Sequence, residues 1–282
     1  MADEARELGV EFRLGRAVQL FEDNSRMRVG PTLSESFEAR VVIAADGFPS
    51  MTASSAGLAD DRYSLPENVA INYQYLVDGL SIESNVTEMY MGTSVAPGGY
   101  GWIIPKSATT ANVGVGLRST FVKSFKAKDH LDHFMNGYVL TKQKLQSGRI
   151  KAAVSDLLPV DGGISKTYSK ATLAVGESAG LVMPTNGGGI PPAMISGRIA
   201  GEVAALHVQE GQPLSNYETR WRKAMGPQLH ASARMRRFAD IFMRHDRLFD
   251  WSMSILRTVG IKKVVTCKIP WGLDILMRLL GY

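Results

Sequence analysis

Two stretches decide the reading of this chain: Val41-Val42-Ile43-Ala44-Ala45-Asp46-Gly47-Phe48-Pro49-Ser50 and Ala171-Thr172-Leu173-Ala174-Val175-Gly176-Glu177-Ser178-Ala179-Gly180. Each is a short apolar run that ends at a Gly beside a carboxylate. Buried strands of open α/β sheets end in this way, with their carboxyl ends turned toward a ligand. Two such ends in one chain predict a cofactor crevice. The second stretch runs on into Pro184-Thr185-Asn186-Gly187-Gly188-Gly189-Ile190-Pro191-Pro192. Its glycines can present free amides, and the prolines fit the first turn of a helix, where no donor is lost. A helix start of that kind stabilises negative charge. Between Ile190 and His207, Ala193, Gly197, Gly201 and Ala205 recur every fourth residue, so they share one helix face without bulk. A backbone or a flat ligand can approach such a face closely.

Outward from these stretches the pattern is first β, then helical. A helix ending at Gly9 leads into short β segments at 10–19, 27–29 and 37–39, around the turn-rich Asp23-Asn24-Ser25. Residues 40–45 are expected as a buried strand and 50–58 as a short helix. Strands follow at 69–77, 86–91, 101–105 and 111–117 with no long helix between them, which predicts an antiparallel sheet facing a substrate. A helix is expected at 129–140, a strand at 150–156, and the 171–175 strand rejoins the first layer. After Gly189 the chain reads as helical, broken near Gly211, Pro227, Gly260 and Pro270. The fold class is therefore α/β (α+β). Residues 1–60 and 150–210 are read as a cofactor-binding part, 61–149 as the antiparallel sheet and 211–282 as a basic helical region.

Composition sets the outer bounds. With 282 residues and 45% apolar content, the chain can build one or two globular domains. The single cysteine, Cys267, excludes an internal disulfide and a multi-cysteine metal site, and it favours a reducing, cytoplasmic compartment. No apolar run approaches the roughly 18–20 residues that span a bilayer. The net charge of +5 is uneven: residues 211–282 hold 13 Lys and Arg against 5 Asp and Glu. There Met235, Phe238, Ile241 and Phe242 recur at helical spacing beside Arg234, Arg236, Arg237, Arg244 and Arg247. Such a helix either lies on an anionic lipid surface as a peripheral contact or packs by its apolar face with solvated arginines outside, the more frequent case. His130 and His133 are the only close histidine pair and read as a surface pair, so no metal is expected. No recognised module supports a nucleic-acid partner.

Ala45-Asp46-Gly47 with Ser50, and Val175-Gly176-Glu177-Ser178-Ala179-Gly180 with Pro184 and the three glycines, resemble the second and third flavin motifs of the geranylgeranyl reductase family. That family lies within the FAD enzymes resembling p-hydroxybenzoate hydroxylase. Gly99-Tyr100-Gly101-Trp102-Ile103-Ile104-Pro105-Lys106, with Ala111-Asn112-Val113-Gly114-Val115-Gly116, resembles the Tyr-x-Trp-x-x-Pro-Lys strand pair that lines the isoprenoid site of the reductases. The likeness covers most of residues 1–210. It implies FAD as cofactor, held by Ala45, Asp46, Gly47, Gly176, Glu177, Pro184, Gly187, Gly188, Gly189 and Ile190. It implies an isoprenoid or lipid substrate against Tyr100, Trp102 and Pro105. Tyr100, Trp102 and Ile104 alternate along a strand and so share a face, able to wall an apolar tunnel or to fill a core.

The chain also departs from the family. Glu177 stands where the family normally has Asp for the ribityl chain, so a weakened contact is expected. No G-x-G-x-x-G fingerprint for the pyrophosphate is present. The Rossmann-like FAD domain is therefore expected to be incomplete, the chain resembling the C-terminal part of a flavoenzyme. The family's functional cysteine belongs to an N-terminal portion, and Cys267 is expected to lie far from the motif as a small apolar residue. The resemblance implies an FAD-dependent reductase of C=C bonds in geranylgeranyl groups, carried on a lipid, a diphosphate or a chlorophyll precursor. Its electron donor and proton donor are unassigned. Two alternatives stand beside it: a non-catalytic lipid-binding remnant or half of a split flavoenzyme needing an N-terminal partner chain, and an FAD-dependent aromatic monooxygenase. The Tyr100 to Lys106 segment speaks against the last.

Overall fold

A computed structural model describes residues 1–15, 19–23, 26–122, 126–279 and 281. The chain begins with α1 (Ala2–Glu7), β1 (Gln19–Asp23), β2 (Arg26–Gly30), β3 (Phe37–Ala39), β4 (Val42–Ala44) and α2 (Met51–Ser55). It continues through β5 (Val69–Asp78), β6 (Glu88–Tyr90), β7 (Tyr100–Pro105), β8 (Thr110–Leu117), α3 (Ala127–Asn136), α4 (Lys142–Leu145), β9 (Arg149–Pro159) and β10 (Thr172–Ala174). It ends in four helices, α5 (Ile190–Glu210), α6 (Ser215–Phe242), α7 (Asp246–Val265) and α8 (Trp271–Leu279). The strands make an antiparallel sheet β1-β2-β3, a parallel pair β4–β10 and a five-stranded antiparallel sheet β6-β7-β8-β5-β9. This is the mixed α/β (α+β) architecture, with antiparallel sheets and C-terminal helices, that the sequence predicts.

Four expectations change. The first strand starts at Gln19, and residues 10–15 are not in a strand; Asn24 and Ser25 of the expected turn lie outside the described residues. The strand expected at 150–156 runs the length of β9 and pairs with β5 from Val69↔Pro159 to Asp78↔Arg149, so it belongs to the five-stranded sheet and not to the cofactor-type segments. Pro227 lies inside α6 and Gly260 inside α7. An interior proline costs a helix about 3 kcal/mol. Here Trp221, Met225, Leu229 and Ala233 are buried on both sides of it, and their packing offsets that cost.

Alternation along the strands separates two faces of the large sheet. Tyr75 and Val77 of β5, Ile103 of β7 and Val113, Val115 and Leu117 of β8 pack with Leu131 and Phe134 of α3 and Leu145 of α4. The opposite face carries Asn72, Gln74, Tyr100, Trp102 and Ile104. A second core surrounds the parallel pair, where Leu173 and Ala174 meet Ile199, Ala200 and Val203 of α5 and Tyr217, Trp221 and Leu229 of α6. Tyr217 donates its hydroxyl to the Ala174 carbonyl at 2.7 Å, and Trp221 Nε1 donates to Thr167 Oγ1 at 2.8 Å. Met235, Phe238, Cys267 and Met277 form a third cluster near the C terminus.

Buried charges join these cores. Arg118, at the end of β8, is 3% exposed, donates Nε to the Gly98 carbonyl and forks onto the Asp240 carboxylate of α6. Asp161 receives guanidinium groups from Arg62, Arg236 and Arg237 at 3.2–3.4 Å. Asp60 accepts from the Arg62 side chain and from both the amide (2.6 Å) and hydroxyl (2.7 Å) of Ser165. Burial alone would raise the Asp60 pKa, but the hydrogen bonds from Arg62 and Ser165 outweigh it and hold the carboxyl well below the usual carboxylate range.

Removing one partner of a buried pair strands the other charge. Asp240→Ala is therefore expected to cost about 3 kcal/mol in urea unfolding, whereas Glu202→Ala, which breaks exposed pairs with Arg198 and Arg220, is expected to leave the urea midpoint nearly unchanged. Because the folded Asp60 pKa is depressed, its contribution is complete above the usual carboxylate range and is lost as pH falls through and below it. Thermal melts across the acid limb check this: Asp60→Ala is expected to destabilise at neutral pH and to flatten the decline in acid.

Candidate functional site

Three register pairs of parallel sheet, Thr172↔Val42, Leu173↔Ile43 and Ala174↔Ala44, bring the two glycine-carboxylate ends together. The ladder extends by Val42 N donating to Ala171 O at 2.8 Å and Val175 N to Ala44 O at 3.0 Å. Ala45, Asp46 and Gly47 therefore lie beside Gly176, Glu177 and Ser178. Gly47 and Gly176 have φ of +78° and +53°, a region that favours glycine. A Cβ on Gly176 would meet Ala193 Cβ at 3.0 Å, so α5 starts in near contact with the end of β10. Gly176 N donates to Ser196 Oγ at 2.9 Å, fixing that approach. Farther along α5, Gly197 and Gly201 meet no atom within 4 Å of an added Cβ.

The two carboxylates differ in what they touch. Asp46 accepts from Ser50 Oγ at 2.6 Å, Ser178 Oγ at 3.2 Å and Thr52 N at 3.0 Å, tying the loop to the first turn of α2. Burial pushes its pKa up, yet the bonds from Ser50 and Thr52 outweigh this and leave it below the ordinary value. Glu177 is half-buried, and its carboxylate has no hydrogen bond or ion pair among the described residues. Burial first, then the nearby charge of Asp156 on β9, raises its pKa. Glu177 is thus an unspent acceptor at the strand end, while Asp46 is a structural anchor already engaged.

The glycine loop is more closed than its composition predicts. Gly187 N donates to Met183 O and Gly188 N to Asn186 Oδ1, so neither amide is free. Among the described residues the amides of Gly189 and Ile190 have no partner, and they open α5. Pro184 is buried, Thr185 N donates to Ser232 Oγ at 3.0 Å, and the Tyr100 hydroxyl donates to the Asn186 carbonyl. Cys267 packs against this loop, with its Sγ 3.1 Å from Thr185 Oγ1 and 3.7 Å from Asn186 Nδ2. The turn between α7 and α8 thus backs the loop, a contact across some 80 residues that local pattern cannot show.

The open sheet face meets this loop at one end. A Cβ on Gly187 would come within 3.2 Å of Leu158 Cδ2 and 3.6 Å of the Tyr100 hydroxyl. Tyr100 and Trp102 contact edge-to-face at 5.8 Å, and Trp102 lies on Gly114, where a Cβ would be 2.3 Å from its ring. Trp102 Nε1 is buried without a partner, and Ile104 farther along is exposed. Pro105 does not join them. It shares the parity of Gly101 and Ile103, whose side meets Phe134 and the α3 core. Ser178, Ser196, Asn186 and Asp156 were not singled out by motif; the Asn in Thr-Asn-Gly and the Ser after Glu177 were the available signals.

The geranylgeranyl reductase catalytic domain model matches residues 68–154 of this chain. A digeranylgeranylglycerophospholipid reductase of Methanothermobacter thermautotrophicus is 36% identical over 215 residues, 75% of this chain and 53% of that protein. Another, from Methanocaldococcus jannaschii, is 40% identical over 191 residues, 66% of this chain and 47% of that one. The chain spans about half the length of the curated relatives it matches. In fold it is similar to a geranylgeranyl bacteriochlorophyll reductase-like protein of Thermoplasma acidophilum, with a TM-score of 0.70 at 24% identity over 93% of this chain and 68% of that one. A flavin-dependent brominase shares the fold at 17% identity, with a TM-score of 0.68 over 99% of this chain and 72% of that one. With the catalytic-domain match lying on the strand pair that carries Tyr100 and Trp102, the chain belongs to the geranylgeranyl reductase family.

Proposed function

We propose that this chain supplies FAD-contacting strand ends and the alkene-facing sheet of a reductase that saturates C=C bonds in geranylgeranyl groups of glycerophospholipids. The observation that carries this reading is the abutment of the Gly187 loop on Tyr100 and Leu158, which sets a cofactor-type loop at the end of an aromatic sheet face. The residues fit FAD: the unspent Glu177 carboxylate can accept hydroxyl donors, and the Gly189 and Ile190 amides at the start of α5 favour negative charge. Reduced FAD supplies the hydride in such a reaction. Tyr100 and Trp102 would orient the apolar chain, with Gly114 leaving room for the indole to lie flat against the sheet. Asp46 would shape the loop from its engaged position beside Ser50 and Ser178.

One observation favours a second reading, in which this polypeptide works as half of a two-part flavoenzyme. Ile190 and Met194 are exposed on the face of α5 that carries the uncovered Gly197 and Gly201, and Ile43 is exposed on β4, so both elements next to the candidate FAD-contacting strand ends leave apolar side chains uncovered.

Purified protein mixed with FAD and freed of excess is expected to keep flavin absorbance. Reduced without oxygen, it should be reoxidised by a glycerophospholipid bearing geranylgeranyl chains, with two hydrogens added per double bond by mass spectrometry. Reoxidation without saturated product would sink the reductase reading. A colourless protein that gains flavin only with the N-terminal part of a relative supports the two-part reading. Glu177 offers a test without FAD. Its folded pKa is raised, so its contribution to stability is present below the ordinary carboxylate value and is lost as pH rises through the folded one. Glu177→Gln is expected to raise the thermal midpoint at about pH 7 and to change it little at about pH 4.

A further inference from the structure

The basic stretch that the sequence reads either as a lipid-surface helix or as one packed by its apolar face takes the packed form. Met235 and Phe238 of α6 are buried, Arg236 and Arg237 reach Asp161, and Arg234 reaches Asp274. The cationic excess left over lies on α7. Leu248, Trp251 and Ile255 are 36%, 58% and 59% exposed, and their spacing of three and four residues sets them on one helix face. Lys262, seven residues beyond Ile255, continues that face, with Arg247 and Lys263 on its flanks; none of the three makes an ion pair among the described residues. The acidic side chains point elsewhere. Asp246 lies across the helix and accepts from Thr93 N at 2.7 Å and Thr93 Oγ1 at 2.8 Å, anchoring α7 at the end of β6. Asp250 is turned roughly 100° from Trp251.

We propose that this face of α7 docks on an anionic phospholipid bilayer, with Leu248, Trp251 and Ile255 entering the interface and Arg247, Lys262 and Lys263 meeting headgroup phosphates. Charge complementarity selects the occupant: an apolar stripe centred on an indole, with Arg247, Lys262 and Lys263 along it, matches a negatively charged interface. Among the described residues no helix is long and apolar enough to cross a membrane, so α7 lies along the surface. Neither flavin nor alkene enters this assignment, and it stands or falls apart from the reductase reading.

Flotation of the full chain with phosphatidylglycerol-containing vesicles tests it, with pure phosphatidylcholine vesicles as the control. Binding to the anionic vesicles that weakens with salt is expected. The double variant Trp251→Ser/Ile255→Ser should lower it about tenfold or more, and Lys262→Glu/Lys263→Glu by a similar factor. Both substitution pairs are on exposed side chains, so circular dichroism and the thermal midpoint should match the parent. Equal binding to both vesicle types, or binding unchanged in the Trp251→Ser/Ile255→Ser variant, overturns the proposal. So does a dimer in ultracentrifugation that the same variant dissociates while no vesicle binding occurs, since the face would then serve a second copy.

Discussion

Three residue pairs of parallel sheet between β4 and β10 hold the candidate site together. Strands this short are marginal alone, because a few ladder bonds cannot offset the ordering of a long intervening chain. They persist because β10 is fully buried, with Tyr217 of α6 holding the Ala174 carbonyl and Ser196 of α5 holding the Gly176 amide just beyond it. Once they pair, Asp46 and Glu177 have to lie side by side, and the chain beyond β10 has to turn over Ser178 into the Pro184–Ile190 loop. The five-stranded sheet then meets that loop through Tyr100 and Leu158, so the two layers touch where a cofactor ring and an apolar chain would have to meet.

Electrostatics decide how the C-terminal helices are used. α6 turns Arg236 inward, where Asp161 collects it together with Arg237 and with Arg62, and its Asp240 pairs with Arg118. Such pairs are poor sources of net stability, since desolvation takes back most of the Coulombic gain, but they penalise any other packing because each unpaired charge would be stranded. They fix α6 against both the sheet and the parallel pair. Among the described residues Arg247, Lys262 and Lys263 of α7 have no comparable partners, and these three remain exposed on the helix that carries Leu248, Trp251 and Ile255. A net charge computed over residues 211–282 cannot separate these two helices.

The site was legible wherever chemistry is local. Glycine at +78° and +53°, prolines in a helix's first turn and the alternation of Tyr100, Trp102 and Ile104 follow from backbone sterics and strand periodicity. The same alternation puts Pro105 on the other face, with Gly101 and Ile103. The free amides assigned to Gly187 and Gly188 were spent within the loop, because the Asn186 side chain and the Met183 carbonyl reach them first.

Sequence alone determined the α/β (α+β) class, the existence of the antiparallel sheet, the two strand ends and the family, because apolar periodicity and left-handed glycine positions are properties of a few consecutive residues. Tertiary structure alone decided that β9 pairs with β5, that Cys267 rests on the Thr185–Asn186 turn, that Asp46 is engaged while Glu177 has no partner among the described residues, and that α6 buries Arg236. Each of these depends on which groups from distant parts of the chain compete for the same hydrogen bond or the same buried space, and that competition is settled only when the cores close.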